Sequence, residues 1–227
     1  MSGSVTLLQL RTSAKDRANM EKSTLVSDPQ WTEYINKSKD ALYDLLISAY
    51  NDEYYVTTNI FSLVPGTASY ALPSDFYKAI SVSLKSGNDY LRLNKFSYQS
   101  RNRNSFFPYR NNRWSLRYSY RISGNNILFD PIPATSSELE LVYIPLAVNL
   151  SSDSDSLKGF SGWEEFIIID AAIKALRKEE TDTQELERDL ARLTMRLQEM
   201  ADSRDIGQPA RIIDTSRLNN SEVAFYE

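Results

Sequence analysis

The sequence predicts an α+β protein, with N-terminal helices, a central antiparallel β domain, a C-terminal helix hairpin and an extended C-terminal tail. Two periodicities and one absence carry this expectation. Apolar residues recur at helical spacing in residues 31–49 and 163–200, whereas residues 54–145 between them are rich in β-branched and aromatic residues in alternating order. Strand and helix runs do not alternate as in βαβ units, and there is neither a G-x-G-x-x-G nor a G-x-x-x-x-G-K loop. With 41% hydrophobic residues and no cysteine among 227 residues, apolar burial rather than disulfide stapling must hold the fold.

Val5, Leu7, Leu8, Leu10 and Ala14 predict a short first helix ending before Ser23. Ser27-Asp28-Pro29 then offers a capping oxygen followed by a first-turn proline. From there Trp31, Tyr34, Ile35, Leu42, Leu45, Leu46 and Ala49 form one buried helical face, with Glu33, Asn36, Lys37 and Asp40 opposite. Residues 54–61 and 67–73 read as strands joined by the Pro65-Gly66 turn, so the two are expected to pair. Residues 80–84 and 90–93 predict a hairpin across Ser86-Gly87-Asn88-Asp89, and residues 116–122 and 127–129 a second one across Gly124-Asn125-Asn126. Residues 138–145 alternate as a last strand.

A Ser/Asp-rich linker at 151–159 precedes a helix that buries Phe166, Ile167, Ile169, Ala172, Ile173 and Leu176. The chain folds back at 180–183. Leu186, Leu190, Leu193, Leu197 and Met200 then make a narrow seam, which suits antiparallel packing on the preceding helix better than an oligomeric coiled coil. After Gly207 and Pro209 the tail has no period and is expected to be disordered alone.

Charge and composition narrow the function. Without histidine or cysteine there is no imidazole shuttle, thiol nucleophile or usual zinc site. The net charge is −4, yet residues 90–129 carry eight basic residues and no acidic one, leaving −12 for the rest. Arg101, Arg103, Arg110, Arg113 and Arg117 lie in or beside an Asn/Arg/aromatic segment that reads as a long functional loop. It suits a neighbouring subunit's acidic surface, a channel or partner protein, or a nucleic acid, where Phe106, Phe107, Tyr109 and Trp114 would stack on bases. Glu164-Glu165 reads as first-turn complementation of a helix dipole rather than an acid/base couple. Asp153 and Asp155 lack the glycine and further ligands of a calcium loop and read as a solvated linker. No catalytic residue, metal ligand or cofactor is expected. The apolar runs at 144–148 and 166–169 are too short to span a bilayer, and Arg11, Lys15, Asp16 and Arg17 argue against a signal peptide, so no membrane partner is expected.

The helix from Trp31 to Leu46-Ile47-Ser48-Ala49-Tyr50, followed by Tyr54-Tyr55-Val56-Thr57-Thr58 and Tyr70-Ala71-Leu72-Pro73-Ser74-Asp75-Phe76, resembles the head-to-tail adaptor (connector) proteins of tailed bacteriophages. The resemblance resumes at Asn126-Ile127-Leu128-Phe129-Asp130-Pro131-Ile132-Pro133, at Tyr143-Ile144-Pro145 and at Gly159-Phe160 through Trp163-Glu164-Glu165-Phe166-Ile167, covering roughly residues 5–200. It implies a non-enzymatic virion protein in the neck, present in the host cytoplasm before assembly. It further implies a ring, commonly of twelve copies, below the portal protein, joined to a downstream neck or tail protein, with genomic DNA passing through without sequence-specific binding. By position, the resemblance assigns the tail to the portal, through Ile212, Ile213, Leu218, Val223, Phe225 and Tyr226.

The expected organisation is therefore an N-terminal helical segment (1–50), a β domain (51–150) with a basic loop at 101–113, a helix pair (160–205) packing on the N-terminal helices, and a docking extension (206–227). Two other classes stay open from the residues alone. One is a nucleic-acid-binding module using the basic residues from Arg92 to Arg121; the other is a carboxylate-dependent hydrolase of the host envelope.

Overall fold

A computed structural model describes residues 5–49, 55–86, 89–100, 118–157 and 162–203. These form four helices and two four-stranded sheets: α1 (Leu7–Arg17), α2 (Asp28–Ala49), β1 (Thr57–Leu63), β2 (Ser69–Ala71), β3 (Phe76–Ser86), β4 (Asp89–Arg92), β5 (Asn94–Lys95), β6 (Ser119–Ser123), β7 (Asn126–Asp130), β8 (Ser137–Pro145), α3 (Glu164–Lys178) and α4 (Gln184–Ser203). The α+β class is as expected.

Local chemistry sets the helix ends. Thr6 caps α1 by a reciprocal box: its hydroxyl accepts from Gln9 N–H, and the Gln9 side chain accepts from Thr6 N–H. At the other end Asn19 takes φ 54°, Met20 N–H reaches the Lys15 carbonyl at 2.8 Å and Asn19 N–H reaches that of Asp16 at 2.9 Å, a Schellman closure. Helix α3 ends in the same way, with Glu180 at φ 58° and Thr181 N–H on the Leu176 carbonyl. That closure reverses the chain where the sequence predicted it.

The apolar faces of the four helices meet in one core that contains Leu7, Leu10, Trp31, Ile35, Leu42, Leu46, Phe166, Ile167 and Leu197. Leu186, Leu190 and Leu193 of α4 are half-buried against it, so the leucine seam packs within the chain. A second core lies between the two sheets and is built from Leu63, Val82, Leu84, Tyr118, Tyr120, Ile127, Phe129, Leu139, Leu141 and Tyr143. The two cores meet along β8, because strand alternation turns Tyr143 toward the sandwich and Ile144 toward the helices.

The sheet orders are β1-β8-β3-β4 and β2-β7-β6-β5. Both predicted hairpins form, β3 with β4 and β6 with β7, the second across Gly124 at φ 56°. The expected pairing across Pro65-Gly66 does not. Strand β1 pairs with β8 (Thr57↔Tyr143 to Leu63↔Ser137), and β2 pairs with β7 in the other sheet. The turn steps between layers because Tyr70 points into the sandwich, where its hydroxyl accepts from Val64 N–H at 2.6 Å and donates to the Val64 carbonyl at 3.0 Å.

Candidate functional site

The fold places three built features on its surface. The first is a strap of residues 145–157 that leaves β8, crosses α2 and reaches the start of α1, where Ser156 bridges Thr6 and Leu157 N–H donates to the Val5 carbonyl. Asn36, Lys39 and Tyr43, one turn apart on α2, grip its backbone. Asn36 Nδ2 donates to the Leu150 carbonyl and Leu150 N–H donates to Asn36 Oδ1, both at 2.9 Å. The fully buried Lys39 ammonium donates to the Val148 carbonyl at 2.7 Å and to Asn149 Oδ1 at 3.1 Å, and pairs with Asp40 at 3.1 Å. Tyr43 Oη donates to the Pro145 carbonyl at 2.6 Å; burial pushes this phenol up to about 12. Its ring stacks on Tyr55, with centroids 4.6 Å apart. Between strap and helix lies a cleft of about 700 Å³ with Tyr43, Tyr55, Pro145 and Leu157 in its wall. Leu146 and Val148 face outward, the latter 83% exposed.

Asn36 therefore does not belong to the solvated helix face to which its spacing assigned it. The Ser/Asp linker is likewise a structured turn. Asp155 accepts from Ser151 N–H and Ser152 N–H, both at 2.8 Å, and these donors, Ser152 first, hold its carboxyl below the ordinary carboxylate range. Its own carbonyl takes Leu7 N–H at 2.8 Å, satisfying a donor at the start of α1. Asp153 pairs with Arg11, which also lies 3.8 Å from Asp28. Lys15 donates to Asp28 at 2.6 Å, and this hydrogen bond is the main reason that the Asp28 carboxyl titrates low. These carboxylates staple the strap and α1 to α2. Glu164 accepts from Gly162 N–H at 2.9 Å, and Glu165 lies 3.4 Å from Arg17, so both stabilise the start of α3 rather than face each other. Among the described residues no group of three or more Asp or Glu could hold a metal ion, and no helix is long and apolar enough to cross a membrane.

The second feature is the root of the basic segment. Strands β5 and β6 run parallel (Asn94↔Ser119, Lys95↔Tyr120), so they are not the two arms of a hairpin. Phe96 N–H donates to the Tyr120 carbonyl at 3.0 Å. The Arg121 guanidinium sits 4.0 Å above the Tyr98 ring and donates to the Phe96 carbonyl at 3.4 Å, which commits it within the chain. Arg92 and Lys95 are exposed beside this root. Arg101, Arg103, Arg110, Arg113 and Arg117 lie outside the described residues, as do Ile212, Ile213, Leu218, Val223, Phe225 and Tyr226 of the tail.

The third feature is the contrast between the flanks of the sandwich. Strands β1 and β2 are edge strands joined by a short turn, and β4 and β5 are the opposite edges, joined by Leu93 alone. The first flank carries no charged residue from Tyr54 to Ser74, whereas the second carries Asp89, Arg92 and Lys95.

The described residues thus form a four-helix core joined along β8 to a two-sheet sandwich, with the built features on the surface. Residues 5–213 match the family model described as SU10 adaptor protein, and the chain belongs to that family. No curated protein matches it.

Proposed function

We propose that the chain works as a non-enzymatic structural component of the virion neck. Copies form a ring below the portal protein, twelve by family analogy, and connect it to a downstream neck or tail protein around the path of the genome. The observation that carries this reading is the family match over residues 5–213. In this reading Arg101, Arg103, Arg110, Arg113 and Arg117 meet the acidic surface of a neighbouring copy. The sequence outside residues 90–129 sums to −12, which favours that contact over nucleic-acid affinity. The segment 206–227 docks on the portal, where Ile212, Ile213, Leu218, Val223, Phe225 and Tyr226 gain apolar burial worth ~25 cal/mol per Å².

Electron microscopy of the protein mixed with the portal encoded beside it tests the central statement. A coaxial ring is the expected result, and its absence under conditions in which both proteins are folded overturns the reading. Deleting everything after Asp205 tests the tail: the melting curve should be unchanged and portal binding lost. A truncated chain that binds as well as the intact one removes the tail from the docking assignment.

A further inference from the structure

Among the described residues, the β1–β8–β3–β4 sheet has two edges without a partner strand, and their properties fit each other. Strand β1 is a seven-residue edge, Thr57-Thr58-Asn59-Ile60-Phe61-Ser62-Leu63, without a lysine, proline, glycine or carboxylate, and Val56 and Val64 extend the neutral run. Exposed edges in soluble proteins ordinarily carry charges, prolines or bulges that block the addition of another strand. Here Ile60 is 54% exposed, and the strand itself carries none of these blocking devices. At the other edge, β4 presents Tyr90 at 50% and Leu91 at 52% exposure.

The register aligns these edges through continuous rows. Ile60, Glu140, Ser83 and Arg92 share one row, and Ser62, Glu138, Lys85 and Tyr90 share the next row on that face. Phe61, Leu139, Leu84 and Leu91 form an apolar row on the sandwich face, and it runs from one open edge to the other. Every pairing in this sheet is antiparallel, so β1 and β4 run in opposite senses. Rotation of one copy onto the next about a common axis keeps those senses, and β1 of one copy then meets β4 of its neighbour as an antiparallel pair.

We propose that β1 pairs with β4 of the adjacent copy, continuing the sheet from subunit to subunit; this rests on the ring reading above. The pairing gives the open backbone groups of both edges partners and covers Leu91 with the inward-facing side of β1. Ring symmetry, rather than charge, selects this arrangement: rotation about one axis brings β1 against β4, whereas a two-fold β4–β4 contact, which would set Asp89 opposite Arg92 of the other copy, closes a pair and leaves both β1 edges open.

The natural absence of cysteine makes a cross-linking test clean. Paired variants place Thr58→Cys, Ile60→Cys or Ser62→Cys together with Tyr90→Cys or Arg92→Cys, and rings assembled on the portal are oxidised and run without reductant. At least one of these same-face pairs should give a ladder of covalent oligomers. Ile60→Cys with Leu91→Cys, whose side chains lie on opposite faces, should not. Ile60→Lys should leave the melting temperature of the isolated chain unchanged and weaken ring assembly at least tenfold. Rings seen by microscopy with no same-face cross-link overturn this interface and leave the ring reading standing. Failure of the unsubstituted chain to form rings overturns both. Dimers from Ile60→Cys alone, without a ladder from any pair, replace the proposed contact by a two-fold β1–β1 one and so overturn it.

Discussion

Replacing Asn36 by alanine tests whether the strap is held by α2 or merely lies on it. The Asn36 amide makes two 2.9 Å bonds to one residue, donating to the Leu150 carbonyl and accepting from its N–H, in a partly buried setting. The change leaves both backbone groups without their partner, and each orphaned buried group costs about 1–3 kcal/mol. Alanine's better helix propensity returns about 0.6 kcal/mol, and partial access to water keeps the cost near the lower end. The expected net loss is about 2 kcal/mol, which for a chain of this length lowers Tm by about 4–8 °C. Asn36→Asp should cost at least as much, because it loses the donor and sets a carboxylate against a carbonyl. Thermal unfolding followed by circular dichroism reads the stability, and limited proteolysis reports whether residues 145–157 become the first site of cutting. If Asn36→Ala melts within 1 °C of the unsubstituted protein (about 0.3–0.5 kcal/mol), the two bonds are replaced by water at no cost and the clamp argument fails.

Glu180→Gly should stabilise by about 0.5–1 kcal/mol, since Glu180 holds φ 58° in the Schellman turn and glycine has no Cβ penalty there; an unchanged or lower urea midpoint refutes this. Below pH ~4 stability should fall. The Asp28, Asp155 and Glu187 carboxyls titrate low in the folded chain, the last chiefly through its Arg177 hydrogen bond, so the unfolded state binds more protons and the stabilisation present above the ordinary carboxylate range is lost on acidification. Asp155→Asn should flatten part of that slope in urea titrations. At the alkaline end Tyr43, pushed from 10.0 to about 12, keeps its proton longer in the folded state. Its contribution is therefore complete below pH 10 and lost as pH rises toward 12, a decline that Tyr43→Phe should reduce in pH-dependent unfolding.

The helices were legible because their signals are local. Spacing, a Ser-Asp cap signal and a first-turn proline act within one or two turns, and α2, α3 and the α3–α4 reversal followed from them. The split of the β region into two layers was not legible, because the Pro65-Gly66 turn serves equally to close a hairpin or to step between sheets. The decision rests on pairing Thr57 with Tyr143, far apart in sequence. Asn36 read as a solvent-facing residue, since spacing places a polar side chain but does not show what lies over it. Lys39 carried a signal that could have been used. It lies four residues after Ile35 and three before Leu42, on the apolar stripe, where a lysine must find partners or distort the fold. Asp155 was hidden by its surroundings, because a Ser/Asp-rich stretch reads as a linker unless its carboxylate is known to cap its own backbone.

The strap has a further consequence for how the surface is used. The bonds that Asn36 and Tyr43 make to the strap, and the shorter one from Lys39, go to main-chain atoms of residues 145, 148 and 150, so the path of the strap does not depend on which side chains it carries outward. Tyr143, with its hydroxyl 2.9 Å from Asp75, and Leu146 N–H, 2.6 Å from the Asp75 carbonyl, extend the same economy to the end of β8. Backbone-directed anchoring separates the two demands on this segment. Stability is set by the α2 stripe, and Leu146 and Val148 are left exposed without being asked to fill either core. An exposed apolar pair on a rigidly held main chain loses little conformational entropy when it is covered, which makes the strap and the uncharged β1 flank the places where burial by a neighbour costs the least order.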